Sequence, residues 1–426
     1  MTRSVPPRPS LRWRSPLRGP RFTSVLGVVL LVGITVLFVT GLLSYAAYNP
    51  DLAPVNDKTP DKGLLGFYLF SWPTDPPWLY RLTQGVHVTL GLTLVPVLLA
   101  KLWSVLPRLF TWPPARSLTH ALERLSLLLL VGGALFQFAT GILNVQLEYV
   151  FPGSFYALHF YGAWVFFGAF VAHVALKTPV VLRNLRAMRE GKEEAVREGD
   201  EKEQGATVEP SDLVAADPDP PTVSRRGALG LVGAGSLLMF VTSAGRSFDG
   251  PLRQTAVLTP HGGPEPGTGP NGFQVNKTAA YAGIRPAETS DEAWRLIVTG
   301  PSGTLRLTRA DLLALPLHSA ALPIACVEGW STSDQWWRGV RLRDLAALAG
   351  AQEPPDLFVE SLQRRGAFRK AALRANQVAD PRSLLALFVN GEELSPDHGH
   401  PARIIVPAAP GVLNTKWVAR LTFQDL

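Results

Sequence analysis

Five stretches of this chain contain no Asp, Glu, Lys or Arg: Phe22–Pro50, Leu82–Ala100, Leu125–Leu147, Tyr149–Leu176 and Gly227–Gly245. As helices rising 1.5 Å per residue, each is long enough to cross a hydrocarbon layer of about 30 Å. Core helices of soluble proteins rarely run so far without a charge. The pattern therefore predicts a membrane protein with four spans and a fifth, later one. It also explains why 46% of the residues are hydrophobic and only 18% charged.

Lys and Arg in the short loops orient these spans. The first 21 residues hold six Arg and no acid, Lys101–Arg124 is basic, and Lys177, Arg183, Arg186 and Arg189 follow the fourth span. The loop Tyr48–Arg81 is acidic on balance, and the short loop around Glu148 has no Lys or Arg. The N-terminus is expected inside, with two hairpins opening outward. Everything after the fifth span is expected on the extracytoplasmic side of the cytoplasmic membrane. The net charge of +7 flanks membrane spans and is no nucleic-acid footprint.

Residues 191–223 are acidic, proline-bearing and poor in apolar side chains, the composition of a disordered cytoplasmic linker. Next comes SRRGALGLVGAGSLLMFVTSAG (224–245), which resembles a twin-arginine export signal, with Arg225–Arg226 before a glycine-rich apolar run. The other reading is an ordinary span with two positive flanking residues. Twin-arginine export carries folded proteins, which suits a domain loaded with a cofactor before it crosses. The expected organisation is a four-helix membrane domain at 1–190, the linker at 191–223, a signal or anchor span at 224–246 and an exported domain at 247–426. Retention of the fifth span is expected, since no tight A-x-A cleavage site is present.

The membrane region carries a faint repeat. VGITVLFVTGLL (Val32–Leu43) and GGALFQFATGIL (Gly132–Leu143) share a Thr-Gly ending 100 residues apart, and the next spans carry His87 and His159. Paired neutral imidazoles suit axial haem ligation. His173 lies fourteen residues after His159, about 21 Å along a helix. This spacing resembles the b-type cytochrome membrane subunits of hydrogenases and formate dehydrogenases, which implies haem b on His87 and His159 and a second haem at His173. The corresponding position on the second span is Lys101, so a second haem lacks an equivalent partner. The competing reading has these histidines meeting lipid headgroups, quinone or interfacial water.

From Ala293 onward the chain changes to short β-rich runs: WRLIVTG, PSGTLRLTR, LPIACVEGW, DLFVESL, LLALFVNG, ARIIVP and WVARLTF. Helical runs intervene at Arg309–Leu315 and Arg341–Leu348, so a mixed α+β domain is expected. Cys326 is the single cysteine and cannot form an internal disulfide. It is either a small core residue or a thiolate used as metal ligand or nucleophile.

LPIACVEGWS, WWRGVRLRDLAALAG and LLALFVNGEELSPDHGHPARIIVPAAPGVLNTKW together resemble the sulfite oxidase-type molybdopterin oxidoreductases. The resemblance implies that Cys326 binds molybdenum, that His398 and Arg403 grip the pterin and its phosphate, and that Asn414, Thr415 and Lys416 touch the cofactor. It places Ser361 and Asn276 near the cofactor as well. A soft thiolate suits a high-valent metal, and the planar Arg fork suits a phosphate. Val-Glu-Gly-Trp-Ser after the cysteine departs from true sulfite oxidases and resembles the bacterial sulfoxide-reductase branch. Glu328 there would repel an anionic substrate, although Arg364, Arg365 and Arg369 could supply compensating charge.

The function expected is therefore a membrane-anchored molybdenum enzyme performing oxygen-atom transfer on a small molecule. Its expected partners are the bilayer, quinone or another membrane redox partner, and the twin-arginine machinery. The alternatives are a sulfite-oxidising enzyme of the same fold, or a non-catalytic electron-transfer or docking protein.

Overall fold

The computed structural model describes residues 20–56, 70–109, 118–143, 155–189, 222–248, 251–258, 269–275 and 277–426. Five helices have the length and composition to cross a membrane. They are α1 (Pro20–Ala47), α2 (Leu79–Leu109), α3 (Leu118–Leu143), α4 (Phe155–Arg189) and α5 (Arg225–Val241). Each is apolar around most of its circumference, as lipid-facing helices are. Leu128, Leu231 and Leu238 are more than half exposed. Pro20 opens α1, where a missing N–H costs nothing, and the Ser224 hydroxyl accepts from Gly227 N at 3.1 Å to cap α5. The linker at 191–221 lies outside the described residues.

The chain divides into two compact units. The first comprises the described parts of Met1–Phe38, Gly91–Ile142 and Leu158–Met239. Small residues let its helices approach. Gly33 lies against Leu94, and a Cβ on Gly133 would meet the Phe166 Cβ at 3.1 Å. Phe38 stacks on Phe167 with centroids 3.7 Å apart, and Trp164 meets Phe38 edge-on at 5.2 Å.

The second unit comprises the described parts of Val39–Leu90, Leu143–Ala157 and Phe240–Leu426, and it holds two sheets. The first sheet contains β1 (Leu296–Gly300), β2 (Gly303–Leu307), β5 (Leu357–Ser361), β6 (Lys370–Leu373) and β10 (Val418–Phe423), in the order β2-β1-β10-β5-β6. Only the β1–β10 pair is parallel. The second sheet contains β3 (His318–Leu322), β4 (Gln335–Arg341), β7 (Leu384–Val389) and β8 (Glu392–Glu393) in that order, with β9 (Arg403–Ile405) on β7. Alternate residues such as Leu296 and Val298, or Leu357 and Val359, are fully buried, as a period of two requires. On β4 the alternation Gln335-in, Trp336-out, Trp337-in continues to Gly339 and breaks at the buried Val340, just after the register shifts against β7 between Arg338 and Gly339. Gly339 there packs on the Leu385 carbonyl and leaves no room for a side chain.

The helical runs expected near 309 and 341 form at Arg309–Ala314 and Leu342–Leu348. A Thr308–Asp311 capping box starts the first. One expectation fails. LPIACVEGW reads as a strand, but β3 ends at Leu322, and Cys326 lies in a turn after a single bridge residue, Ala325. Gly329, at φ +89°, lets the chain fold back, and Gly329 N donates to the Cys326 carbonyl at 3.1 Å.

The described residues between α1 and α2, 48–56 and 70–78, are built into this unit. Asn49 donates to the Gln377 side chain at 2.8 Å, Arg374 pairs with Asp51 at 2.8 Å, and Arg382 pairs with Asp75 at 2.8 Å. Trp72 is 1% exposed, and its indole N–H donates to the Ala408 carbonyl at 2.7 Å. Replacing Trp72 by Ala should cost about 3–5 kcal/mol. Thermal unfolding of the full chain in detergent checks this, and an unchanged midpoint would show that the segment does not stabilise the unit.

Candidate functional site

The Cys326 turn is held from every side. Cys326 N donates to the Trp330 carbonyl at 2.8 Å, Gly411 N donates to the Ala325 carbonyl at 2.7 Å, and Ile324 N donates to the Thr332 hydroxyl at 2.9 Å. Ser331 N donates to the Arg246 carbonyl at 2.7 Å, and the Ser331 hydroxyl donates to the Ser247 carbonyl at 2.9 Å. The Gln84 amide donates to the Val327 carbonyl, and a Cβ on Gly329 would meet Val88 Cβ at 2.6 Å. Cys326 is a buried free thiol that lines a cavity.

That cavity opens to solvent at its mouth and is lined by both polar and apolar side chains. His398, Arg403, Asn414, Thr415 and Lys416 share it with Cys326, so the expected cluster assembles. Ser361 does not line it. The Ser361 hydroxyl donates to the Lys416 carbonyl at 2.7 Å and so shapes the cavity's lysine turn. Asn276 lies outside the described residues.

Each of these side chains has a local reason for its place. Ser395 caps the short turn Pro396–His398, and Gly399 at φ +109° packs against Lys416. The His398 ring stacks on Phe273 at 3.8 Å. His398 Nε2 lies 2.9 Å from the Asn271 carbonyl, an acceptor, so Nε2 carries the proton. Burial first, then the Arg403 charge, lower the His398 pKa to about 3. Arg403, on β9, sits over the Trp337 ring at 5.4 Å. The Asn414 side-chain oxygen accepts from Val406 N at 2.9 Å and pins the turn that presents Thr415 and Lys416.

The electrostatics identify what belongs here. Burial lowers the Arg403 pKa to about 9. Burial, then Arg403, then Lys277 push the Lys416 ammonium well below its ordinary range, against a smaller opposing effect of Asp397. No carboxylate pairs with Arg403 or Lys416 among the described residues. Arg403 Nε and the Thr415 hydroxyl are buried and have no hydrogen-bond partner among the described residues. A concave site with crowded cations and orphaned donors fits an anionic, acceptor-rich group such as a pterin phosphate. Cys326, in the same cavity, has the chemistry of a soft metal ligand.

Sequence reasoning missed several lining residues. Lys277 neighbours a predicted position, and its ammonium donates to the Ala367 carbonyl at 2.7 Å. Tyr48 and Tyr156, whose ring centroids are 5.2 Å apart, line the cavity from far upstream in the chain. Glu328 is buried and accepts from the Trp330 indole at 2.8 Å. Arg364, Arg365 and Arg369 do not line the cavity. Arg364 instead pairs with Glu288, and with Arg365 it borders a separate shallow pocket.

The predicted haem residues lie on helices. In the second unit, Thr40 Oγ1 is 3.1 Å from His87 Nδ1. In the first unit, Thr140 Oγ1 is 3.0 Å from His159 Nδ1, and His173 lies half-buried on α4.

Residues 282–426 match the family described as the oxidoreductase molybdopterin binding domain. The chain is 32% identical over 131 residues to the uncharacterized oxidoreductase YuiH of Bacillus subtilis, a match covering 30% of this chain and 65% of that one. It is 30% identical over 161 residues to mitochondrial sulfite oxidase of Rattus norvegicus, covering 32% of this chain and 30% of that one. It is 34% identical over 151 residues to an NADH nitrate reductase of Volvox carteri, covering 29% and 18%. The chain thus spans less than two thirds of each of these relatives. Its C-terminal region is similar to molybdopterin-binding oxidoreductase domains, those of sulfite oxidases among them.

The lowered His398 pKa carries a sign. The unfolded chain takes up a proton near pH 6.5, whereas folded His398 does not until about 3. Stability is therefore full above 6.5 and lost as pH falls toward 3. Between pH 6.5 and 5, above the carboxylate range, the slope should approach about 1.4 kcal/mol per pH unit. Denaturant titration of the full chain checks this, and His398→Gln should flatten that window.

Proposed function

We propose that this chain is a membrane-anchored molybdenum-cofactor oxidoreductase that exchanges an oxygen atom with a neutral S-oxide or N-oxide on the extracytoplasmic side. The observation that carries this reading is the convergence of Cys326 with Arg403, Lys416 and Lys277 in one cavity walled by Glu328. When bound, the cofactor supplies two-electron redox chemistry at its metal. Cys326 serves as the thiolate ligand. Arg403, Lys416 and Lys277 neutralise the anionic end, and His398, neutral at physiological pH, adds no further charge. Tyr48, Tyr156 and Phe368 exclude water from the wall. The buried Glu328 carboxyl group, fixed by Trp330, disfavours an anionic substrate such as sulfite.

Helices α1 to α4 supply the membrane anchor in this reading, with α5 as the export or anchor span behind Arg225–Arg226. Electrons pass singly to or from quinone or another membrane redox partner. Haem b is their carrier, with His87 and His159 as candidate ligands and His173 as a candidate for a second haem. Sulfite oxidation is the second reading, favoured by the sulfite oxidases among the relatives. It is weakened because Arg364, Arg365 and Arg369 are not at the cavity wall.

Cys326→Ser should lower turnover by more than about 100-fold, since even loss of an outer-shell partner of a metal costs 10–100-fold. The purified full chain should reduce S-oxides faster than it oxidises sulfite. Glu328→Gln should narrow that preference by about 10-fold, equivalent to ~1.4 kcal/mol. Wild-type activity in Cys326→Ser would refute the ligand assignment. A wild-type preference for sulfite would establish the second reading.

A further inference from the structure

Among the groups that line the Cys326 cavity, Arg403 Nε, the Thr415 hydroxyl and the Tyr48 hydroxyl are donors buried with no hydrogen-bond partner among the described residues. The first two belong to the cationic wall, where the Arg403 and Lys277 charges bear on Lys416. Tyr48 stands elsewhere. It shares one buried cluster with Trp72, Tyr80 and Ala325, and Val327 packs against that cluster. Ala325 and Val327 flank Cys326, so Tyr48 sits at the thiol end of the cavity.

The chain holds Tyr48 there firmly. It follows the last residue of α1, and Asn49, at φ +53°, turns the backbone. Tyr48 N donates to the Tyr45 carbonyl at 3.1 Å, and the Asn49 side chain donates to Gln377 at 2.8 Å. The Tyr48 ring meets Tyr80 edge-on with centroids 6.4 Å apart and Tyr156 at 5.2 Å. The Tyr80 hydroxyl faces that of Tyr48 without the geometry of a hydrogen bond. Tyr48 is 1% exposed. A phenylalanine would close this wall as well, without the cost of an unpaired buried hydroxyl. The hydroxyl is explained by a ligand that accepts from it.

The ligand class follows from the surroundings. A tyrosine hydroxyl, with an ordinary pKa of about 10, keeps its proton at neutral pH and can donate it in a hydrogen bond. The oxygen of an S-oxide or N-oxide has lone pairs and no hydrogen, so it is a pure acceptor. Val327, Phe368, Val412 and the Tyr156 ring make the rest of this wall largely apolar, which suits an uncharged body. We propose that Tyr48 is a substrate-recognition residue whose hydroxyl donates to the oxygen of a neutral S-oxide or N-oxide bound beside Cys326. This rests on the oxygen-transfer reading above and adds a substrate contact from outside residues 282–426, the span of the family match.

The experiment uses the full chain purified in detergent, with its molybdenum content measured. Methyl phenyl sulfoxide is the substrate, and methyl phenyl sulfide, which lacks the oxygen, is the competing product. Tyr48→Phe should lower kcat/KM for the sulfoxide roughly 10-fold, as loss of one hydrogen bond does. The inhibition constant of the sulfide, the molybdenum content and the thermal midpoint should keep their wild-type values. A residue that only closes the wall would shift the sulfide and sulfoxide constants together. That result would overturn the inference, as would wild-type kcat/KM in Tyr48→Phe, and either would leave the oxygen-transfer reading standing. Should the variant not accumulate, the wild-type chain decides. Methyl phenyl sulfone, which keeps acceptor oxygens, should inhibit at least about 10-fold more strongly than the sulfide, and equal inhibition would overturn the inference. A molybdenum-loaded wild-type chain inactive on S-oxides and N-oxides would overturn the oxygen-transfer reading and this contact with it.

Discussion

The C-terminal region holds a concentration of buried positive charge that the described residues do not neutralise, and the cost of burying it constrains the rest of the site. Arg403 and Lys416 are removed from water, the Arg403 charge lowers the affinity of Lys416 for protons, and neither forms an ion pair with a carboxylate among the described residues. Burying a charge without a partner costs several kcal/mol. The domain tolerates it because β9, which carries Arg403, is pinned to β7, buried at every position but Phe388, and because the Asn414 turn is tied to Val406. A bound anion offsets this cost, so cofactor binding and folding stability are linked. The Arg403–Trp337 stack and the neutral His398 limit the strain in the meantime.

A second constraint shapes the thiolate end. The Cys326 turn is a short loop with little regular structure of its own, and residues outside the family domain immobilise it. Gln84 and Val88 press on it from α2, while the Arg246 and Ser247 carbonyls accept from Ser331. Tyr48, Trp72 and Tyr80 form a buried aromatic cluster with Ala325, next to the cysteine. The cavity wall is thus partly made by chain that precedes residue 282, where the family match begins.

Much of this was legible in the sequence, for identifiable reasons. Cys326, His398, Arg403 and Asn414–Lys416 stand in short contiguous motifs, and motifs are what a sequence displays. Uninterrupted apolar runs likewise announced the five long helices. Tyr48 and Tyr156 were invisible because only the folded chain carries them to a cysteine more than 160 residues away. The Cys326 segment reads as a strand because Leu, Ile, Ala, Cys and Val suit one. Gly329 and the cross-turn bond to Trp330 override that preference. Strands β4 and β6 were hidden, the first by a bulge and the second by its brevity. The Thr-Gly repeat was visible as a pattern, whereas the contacts of Thr40 with His87 and of Thr140 with His159 exist only in the folded chain.

The central claim is that the cationic cavity and Cys326 together hold a molybdenum–pterin group. The most direct measurement is the molybdenum and pterin content of the full chain, purified folded from a host that makes the cofactor. The account predicts about one of each per chain, with both lost when Arg403 is replaced by Met. A folded chain containing neither, from a host that loads other molybdenum enzymes, would contradict it.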